Sequence, residues 1–479
     1  MSWRAWAPRV AVATVSMAAT VGLVVVWAMS RPTLVERPAP VPGLLRIADV
    51  TVIDVVEGRA VPHQDVGVLG ENIVSVGVHV DSPDTPAERT IDGTGLTLVP
   101  GYIDAHCHVG SSPAVPWTTS LPDLDLNLER LLFAGVTRVF DPGSMVPDTF
   151  EIRAELASGA RLGPVLHAAG PIFTAVGGHP EPMARELYPG VVVDQLLPKM
   201  MRQIDSPDAA RDAVAALVPH RPDFIKLVVD RLPLHAPRLT PQLSRAIVEE
   251  AKAQGFRAVA HIGSTEDALE AADAGVSAWI HGVYKERIPD EAISTLAAHG
   301  IPMVPTLVVF RTYGEMAQGA FPATPMEQAL APASLLDPRG DTTGQDGVSD
   351  DIRDYVTMLS EQQQSALDNV GRLHRAGVVM ITGSDAQGGV VHGASLHREL
   401  DLLSQAGLSP LDVLRAATLN GARFLSNQAD PPYGVVAEGK RADLVLLRAD
   451  PLQDVGALSE IESVWLGGVP LAREPWPRP

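Results

Sequence analysis

From residue 44 the chain reads as short Val/Ile-rich runs cut by Gly, Asp and Asn: LLRIADVTVIDVVEGRAV, QDVGVLGENIVSVG and RTIDGTGLTLVP. Such runs predict the strands and hairpins of a small β unit, with Glu71 and Asn72 as the turn of the second hairpin. From Gly101 to about residue 427 the rhythm changes. Helical stretches end in a Gly and a short apolar strand follows. Gly135 precedes VTRVFD, Gly163 PVLHAAG, Gly255 FRAVAH, Gly275 VSAWIH, Gly300 IPMVPT and Gly377 VVMITGSD. A Gly behind a helix supplies the left-handed conformation that turns the chain into a strand. With GYIDAHCH and DFIKLVV these make eight strand–helix units, the pattern of a closed parallel barrel.

Residues 311–347 break the rhythm with FPATP and DPRGDTTGQDG. They are expected to form a loop after the seventh strand that serves as a partial lid. The tail, YGVVAEGKRADLVLLRADP and IESVWLGGVPL, returns to β text and is expected to complete the unit begun before the barrel. The predicted fold is α/β: a (β/α)8 TIM-like barrel over residues 99–427, and a small β-sandwich domain from segments 44–98 and 428–479.

Ahead of these elements, residues 10–29 form an unbroken run of apolar or small side chains, with Arg4 and Arg9 before it and Arg31 after it. Twenty residues are about what a bilayer crossing needs. A cleaved signal peptide is the alternative, since Ala28, Met29 and Ser30 make a passable cleavage site. Residues 1–30 are thus read as a transmembrane anchor or a signal peptide. Residues 31–43, with Pro32, Pro38, Pro40 and Pro42, are read as an extended linker. Either way the basic flank stays inside and the rest is exported. The expected location is membrane-anchored and facing outside the cytoplasm, or secreted or periplasmic.

Composition narrows the function classes. Of 479 residues 46% are hydrophobic and 20% charged, enough for a sizeable core and too apolar for wholesale disorder. Acidic residues outnumber basic ones 57 to 37, for a formal charge of −20, which argues against nucleic acid as a partner. The acidity itself is read as solubility. The single cysteine, Cys107, rules out an internal disulfide and a Cys-rich zinc finger. Lying between two histidines on a strand, it points away from the face they share and is read as a packing residue.

Several histidines fall at the ends of predicted barrel strands, where such barrels build their active face. His106 and His108 end strand one and, two residues apart, project from one face. Lys226 lies in strand four, His261 ends strand five, His281 ends strand six and Asp385 follows strand eight. Singly, each has an ordinary reading: a satisfied strand-end His, a helix-capping Asp, a Lys whose head reaches solvent. Jointly they would converge on the barrel mouth. Four imidazoles and a carboxylate suit zinc or a similar divalent ion.

VPGYIDAHCHVG, FIKLVV, AVAHIGS, AWIHGV and ITGSDA resemble successive motifs of the amidohydrolase superfamily. The nearest likeness is to its imidazolonepropionase-like and prolidase-like branch, which includes metal-dependent dipeptidases. LSPLDVLRAATLNGARFL and GVVAEGKRADLVLLRADPL resemble that branch's terminal segments, so the likeness spans roughly residues 44–470. The resemblance implies two divalent metal ions, with zinc expected. His106, His108 and Asp385 would hold the more buried ion and His261 and His281 the more exposed one. Lys226 would bridge both as a carbamate formed with carbon dioxide, for which burial must keep its amine neutral; an unmodified Lys beside a single ion is the alternative. The implied chemistry is attack on a carbonyl by a metal-held hydroxide, with Asp385 as general base and then as proton donor to the leaving amine.

Substrate contacts are sought among residues near the mouth. His179 in GGHPEP, after strand three, resembles a His found there in relatives. Arg231 in VVDRLP could pair with a substrate carboxylate; here the chain departs from the family, where a Gly-rich turn is more usual. Tyr284 in HGVYKER and His392 in VVHGASLH complete the set. The expected function is hydrolysis of an amide or peptide bond in a small substrate such as a dipeptide. The alternatives are a cyclic-amide hydrolase or deaminase of the same fold, and a non-enzymatic binding protein on an inactivated barrel. The last should have lost ligands, whereas all six positions are filled. Expected partners are the small substrate and, if the N-terminal segment is retained, the membrane; a homo-oligomer is compatible with the sequence.

Overall fold

A computed structural model describes residues 33–40, 42–80, 87, 89–115, 120–336 and 349–474. The apolar run at 10–29 and most of the Gly-rich stretch before 349 lie outside the described residues. Among the described residues no helix is long and apolar enough to cross a membrane.

The strands before the barrel are β1 (Val35–Glu36), β2 (Leu44–Asp54), β3 (Arg59–Leu69), β4 (Asn72–Val78), β5 (Arg89–Asp92) and β6 (Thr97–Pro100). The barrel region carries β7 (Tyr102–Asp104), β8 (Val136–Asp141), β9 (Val165–Ala168), β10 (Ile172–Ala175), β11 (Met201–Ile204), β12 (Phe224–Val228), β13 (Arg257–His261), β14 (Trp279–Ile280) and β15 (Met303–Val304). The tail adds β16 (Leu444–Leu447), β17 (Ile461–Leu466), β18 (Val469–Pro470) and β19 (Ala472–Arg473).

The two outer segments form one mixed sheet in the order β18-β17-β16-β6-β2-β3-β4, with β5 also on β2. Alternation puts Leu45, Ile47, Val50, Val52, Val66, Val68, Leu98, Leu444, Leu446 and Trp465 into one apolar cluster. The tail does complete the unit, through the antiparallel ladder of β16 on β6. The long β2 changes partner midway: Leu45 to Ala48 pair with β5, and Thr51 and Val52 with β6. Asp49, at the break, has φ +54, and its amide donates to Asp65 Oδ1 at 3.0 Å. This bulge bends the sheet into its sandwich-like form. The second hairpin turns at Gly70 and Glu71, one residue earlier than expected, because Leu69 pairs with Asn72 and Gly70 takes φ +58.

The barrel strands run parallel as expected. One sheet has the order β7-β8-β9 and another β11-β10-β12-β13-β14-β15. Single links continue the ring between them. Asp223 N donates to Ala168 O, Ile381 N to Met303 O, and Ala105 N to Thr382 O, each at 2.9 Å. The eighth strand is irregular: among the described residues it meets β15 through an isolated bridge, Met303 to Met380. Gly383 explains part of this: a Cβ there would lie 2.4 Å from Val304 Cγ1 and 2.9 Å from His106 Cβ.

The helix-ending glycines behave as read at five of the six positions, with φ from +66 to +98 at Gly135, Gly255, Gly275, Gly300 and Gly377. At the sixth the left-handed cap is Gly159, not Gly163. Two readings change. The pair β10 and β11, with helices Glu181–Leu187 and Gly190–Met200 between them, elaborates the barrel after its third strand. Much of the stretch read as a loop is helical, with Leu307–Ala317, Pro325–Leu330 and Ala333–Leu336. The first of these buries Leu307, Val308, Val309 and Phe310 as one unbroken apolar run at its start, a pattern that reads as strand as readily as helix.

Inside the barrel Ile103, Phe140, Phe224, Val259, Ile280, Val304 and Ile381 form a packed plug. Polar side chains follow on the same strands toward their C-terminal ends, Lys226 two residues past Phe224 and His261 two past Val259.

Candidate metal centre

The first and eighth strands are locked together at the mouth. Asp385 N donates to His106 O at 2.6 Å, and the buried Cys107 makes a backbone bridge to Ala386. Cys107 therefore holds the register that sends its two neighbours into the mouth. Asp385 Oδ1 stands 3.2 Å from Nε2 of both His106 and His108. Asp104 reinforces the junction, accepting from Ser384 N at 2.9 Å and Ser384 Oγ at 2.6 Å.

His281 joins this group: its ring centroid lies 4.7 Å from that of His106 and 4.2 Å from that of His261. His106, His281 and Asp385 are all buried and each offers a ligand atom within 4.8 Å of the others. His261 faces Asp230 with Nε2 3.2 Å from Oδ2. Lys226, 2% exposed on β12, sits close enough for its charge to be felt at His106, His179, His261 and His281.

The electrostatics follow from burial and these neighbours. Burial raises the Asp385 carboxyl, but the His106 charge and hydrogen bonds from His106 and His108 outweigh it and hold the group well below the usual range. Burial brings His106 down to about 3 and Lys226 to about 7, the latter partly opposed by the charges of Asp385 and Asp141. His108 is the exception. Burial lowers it, but the neighbouring carboxylates of Asp141 and Asp385 outweigh this and raise it to about 10. A nitrogen and oxygen donor set, buried and mutually within reach, fits a zinc-like divalent ion.

The four residues read as substrate contacts divide. His179 reaches the cluster, its ring 5.4 Å from that of His261. Tyr284 is 1% exposed and donates to Asp230 Oδ2 at 2.5 Å while stacking on Phe310 at 3.8 Å. His392 is fully buried with Nε2 3.0 Å from His108 O, so it braces the His108 turn instead of lining the mouth. Arg231 is exposed and donates to Ala236 O at 3.2 Å, turned back on its own loop.

The sequence reading passed over several residues here. Asp230 accepts from Lys285, Tyr284 and the His261 ring. Asp141 lies 3.7 Å from His108 Nδ1. Thr306 Oγ1 is 2.6 Å from His281 Nδ1, and Gln387 donates to Asp385 Oδ1 at 2.9 Å. Asp141 and Asp230 were findable by the rule that singled out Asp385: each is an acid at or just past the C-terminal end of a barrel strand.

Comparison with known proteins adds to this geometry. The sequence model of the amidohydrolase family matches residues 97–471. A Mycobacterium tuberculosis protein described as uncharacterised is 26% identical over 396 residues, 81% of this chain and 88% of that one. Ochratoxinase of Aspergillus niger is 23% identical over 430 residues, 84% of this chain and 81% of the enzyme. The structure of a Xaa-Pro dipeptidase with methionine bound in its active site is similar at a TM-score of 0.72 and 21% identity, covering 90% of this chain and 100% of the dipeptidase.

Proposed function

The chain belongs to the amidohydrolase family and is a hydrolase acting on carbon–nitrogen bonds; from that premise we propose that it hydrolyses the amide or peptide bond of a small substrate, a dipeptide being the favoured class. The observation that carries this reading is the buried convergence of His106, His281 and Asp385, with His108, His261 and Lys226 around them. Support for a dipeptide comes from likeness to a solved Xaa-Pro dipeptidase, and for an amide more broadly from membership of the amidohydrolase family.

His106, His108 and Asp385 would hold one divalent ion, His261 and His281 a second, and Lys226 would join them as a carbamate. When bound, such ions polarise a carbonyl and acidify water. The remaining work falls to the chain. Lys226, near 7, offers a neutral amine at physiological pH; its Nζ would bond to the carbon of carbon dioxide and release a proton. Asp385 Oδ1 is engaged by His106, His108 and Gln387, so Oδ2 is assigned the moving proton. Held ionised, Asp385 takes a proton from water as the water oxygen bonds to the carbonyl carbon. It returns that proton to the leaving nitrogen as the C–N bond breaks. His179 would border the substrate beside His261. We further propose, from the apolar run at 10–29 and its basic flank, that the chain is exported and works outside the cytoplasm, which cell fractionation would test.

The test is metal content of purified protein together with turnover of a dipeptide library and a set of cyclic amides. The proposal expects divalent metal near two per chain and release of free amino acids. Turnover of ring amides alone would overturn the dipeptide assignment, and a protein that takes up no metal would overturn the mechanism.

A further inference from the structure

The end of the seventh barrel strand departs from ordinary helix-start chemistry. Thr306 is fully buried and precedes the helix Leu307–Ala317 with φ +48 and ψ +43. A β-branched residue rarely adopts that conformation, and one that does is held there by its surroundings. Thr is also a preferred helix cap, its hydroxyl ordinarily accepting an amide two or three residues on. Here the side chain makes no capping bond. Its hydroxyl lies instead 2.6 Å from His281 Nδ1.

The duty that Thr306 gives up is taken over from another helix. Glu399, on the helix Ala394–Gln405, is fully buried, and its Oε2 accepts from Val308 N at 2.7 Å. The exchange frees the Thr306 hydroxyl for the imidazole. His281 is itself left-handed at φ +71, and the Phe310 ring packs edge-on to it with ring centres 5.3 Å apart.

We propose that Thr306 and Glu399 act together as positioning residues for His281: Thr306 fixes the ring through Nδ1 and leaves Nε2 to a divalent cation, and Glu399 keeps Thr306 in the conformation this requires. The inference rests on the metal-site reading above. A hydrogen bond at the second ring nitrogen selects the tautomer and orientation of a ligating histidine, and its loss typically costs 10–100-fold in metal affinity. Glu399 acts at one remove, through the helix start, and never touches the ring.

The test is zinc affinity of the full chain, measured by chelator competition, with the visible spectrum of the cobalt-loaded protein as a second readout. Thr306→Val keeps shape and branching and removes only the hydroxyl. It should weaken binding about 10–100-fold and alter the cobalt bands, while Thr306→Ser should stay within about threefold of native. Glu399→Gln keeps an acceptor and should match native, whereas Glu399→Leu should weaken binding in the same direction. Acting on one element, Thr306→Val and Glu399→Leu together should cost little more than Thr306→Val alone. Native affinity and spectrum in Thr306→Val would overturn the proposal, as would effects of the two variants that multiply. If Glu399→Leu does not fold, the Thr306 pair still decides. A native chain that takes up no zinc or cobalt would instead overturn the metal-site reading, and this inference with it.

Discussion

Replacing Asp230 by Asn should destabilise the whole protein well beyond the loss of one hydrogen bond. The carboxylate is fully buried, and Gly263 packs so closely that a Cβ there would lie 2.5 Å from Oδ2. It accepts from the Lys285 ammonium, from Tyr284 Oη at 2.5 Å and from the His261 ring at 3.2 Å. Burial pushes Asp230 up, but the Lys285 charge and the His261 hydrogen bond prevail and hold it below the usual carboxylate range. Its contribution is therefore present above the unfolded value near 3.8 and is lost as pH falls through the depressed folded value. Asn keeps the shape and removes the charge, leaving the 13%-exposed Lys285 side chain without its counter-ion. Breaking a buried pair from one side costs about 3–5 kcal/mol. With unfolding entropy of about 2.1 cal/mol/K per residue, a chain of this length changes by roughly 1 kcal/mol per kelvin, so Tm should fall by roughly 3–5 °C. The assay is calorimetry at neutral pH on Asp230→Asn, Lys285→Met and the double variant. Removing both partners should cost clearly less than the sum of the single losses. A Tm for Asp230→Asn within about 1 °C of native, or strictly additive losses, would refute the reasoning.

Three other outcomes follow from the same structure. Asp385→Asn should reduce kcat/KM on any cleaved dipeptide by about 10²–10⁴-fold, and near-native turnover would remove Asp385 from proton transfer. Lys226→Met should bind at most one ion per chain. Bicarbonate during metal loading should raise occupancy in native protein and not in this variant, an expectation that equal occupancies would reject. Burial raises Glu399 to about 8 from 4.5. The folded chain then holds a proton that the unfolded chain lacks between those values, so the stability tied to this group is fully present below 4.5 and lost as pH rises through 8. The slope approaches about 1.4 kcal/mol per pH unit. Glu399→Gln should flatten that slope in denaturant titrations at several pH values, and an unchanged slope would contradict it.

The barrel strands and the candidate ligand positions could be picked out because each carries its own local sign. Helices announce their ends with glycine, and His106, His108, His261, His281 and Asp385 stand where strands meet loops, in an order that one topology explains. The β unit was legible in its strands but not in its hinge, since nothing in the alternation of β2 marks Asp49 as the residue that turns left-handed. The helix Leu307–Ala317 was missed because it opens on four consecutive apolar residues, a run that periodicity alone cannot tell from a strand. Thr306 and Glu399 were unreadable for a different reason. Ninety-three positions apart, each looks ordinary alone, and only the fold brings them to the same helix start. Arg231 is a charge at a plausible place whose guanidinium donates to Ala236 O of its own loop, a contact that no sequence pattern announces.

The return of the tail to the first sheet imposes an order of events. β6 lies between β2 and β16, and Tyr102 Oη donates to Leu458 O across 356 residues of sequence. Until the last strands are available, β6 presents a raw hydrogen-bonding edge, the surface on which chains pair wrongly. Contacts so distant also delay productive collapse, since the intervening loop must close before they contribute. The catalytic barrel is thus bracketed by a clasp that fastens late. Removal of β16 to β19 should release chains that aggregate during refolding even though every proposed metal ligand is still present.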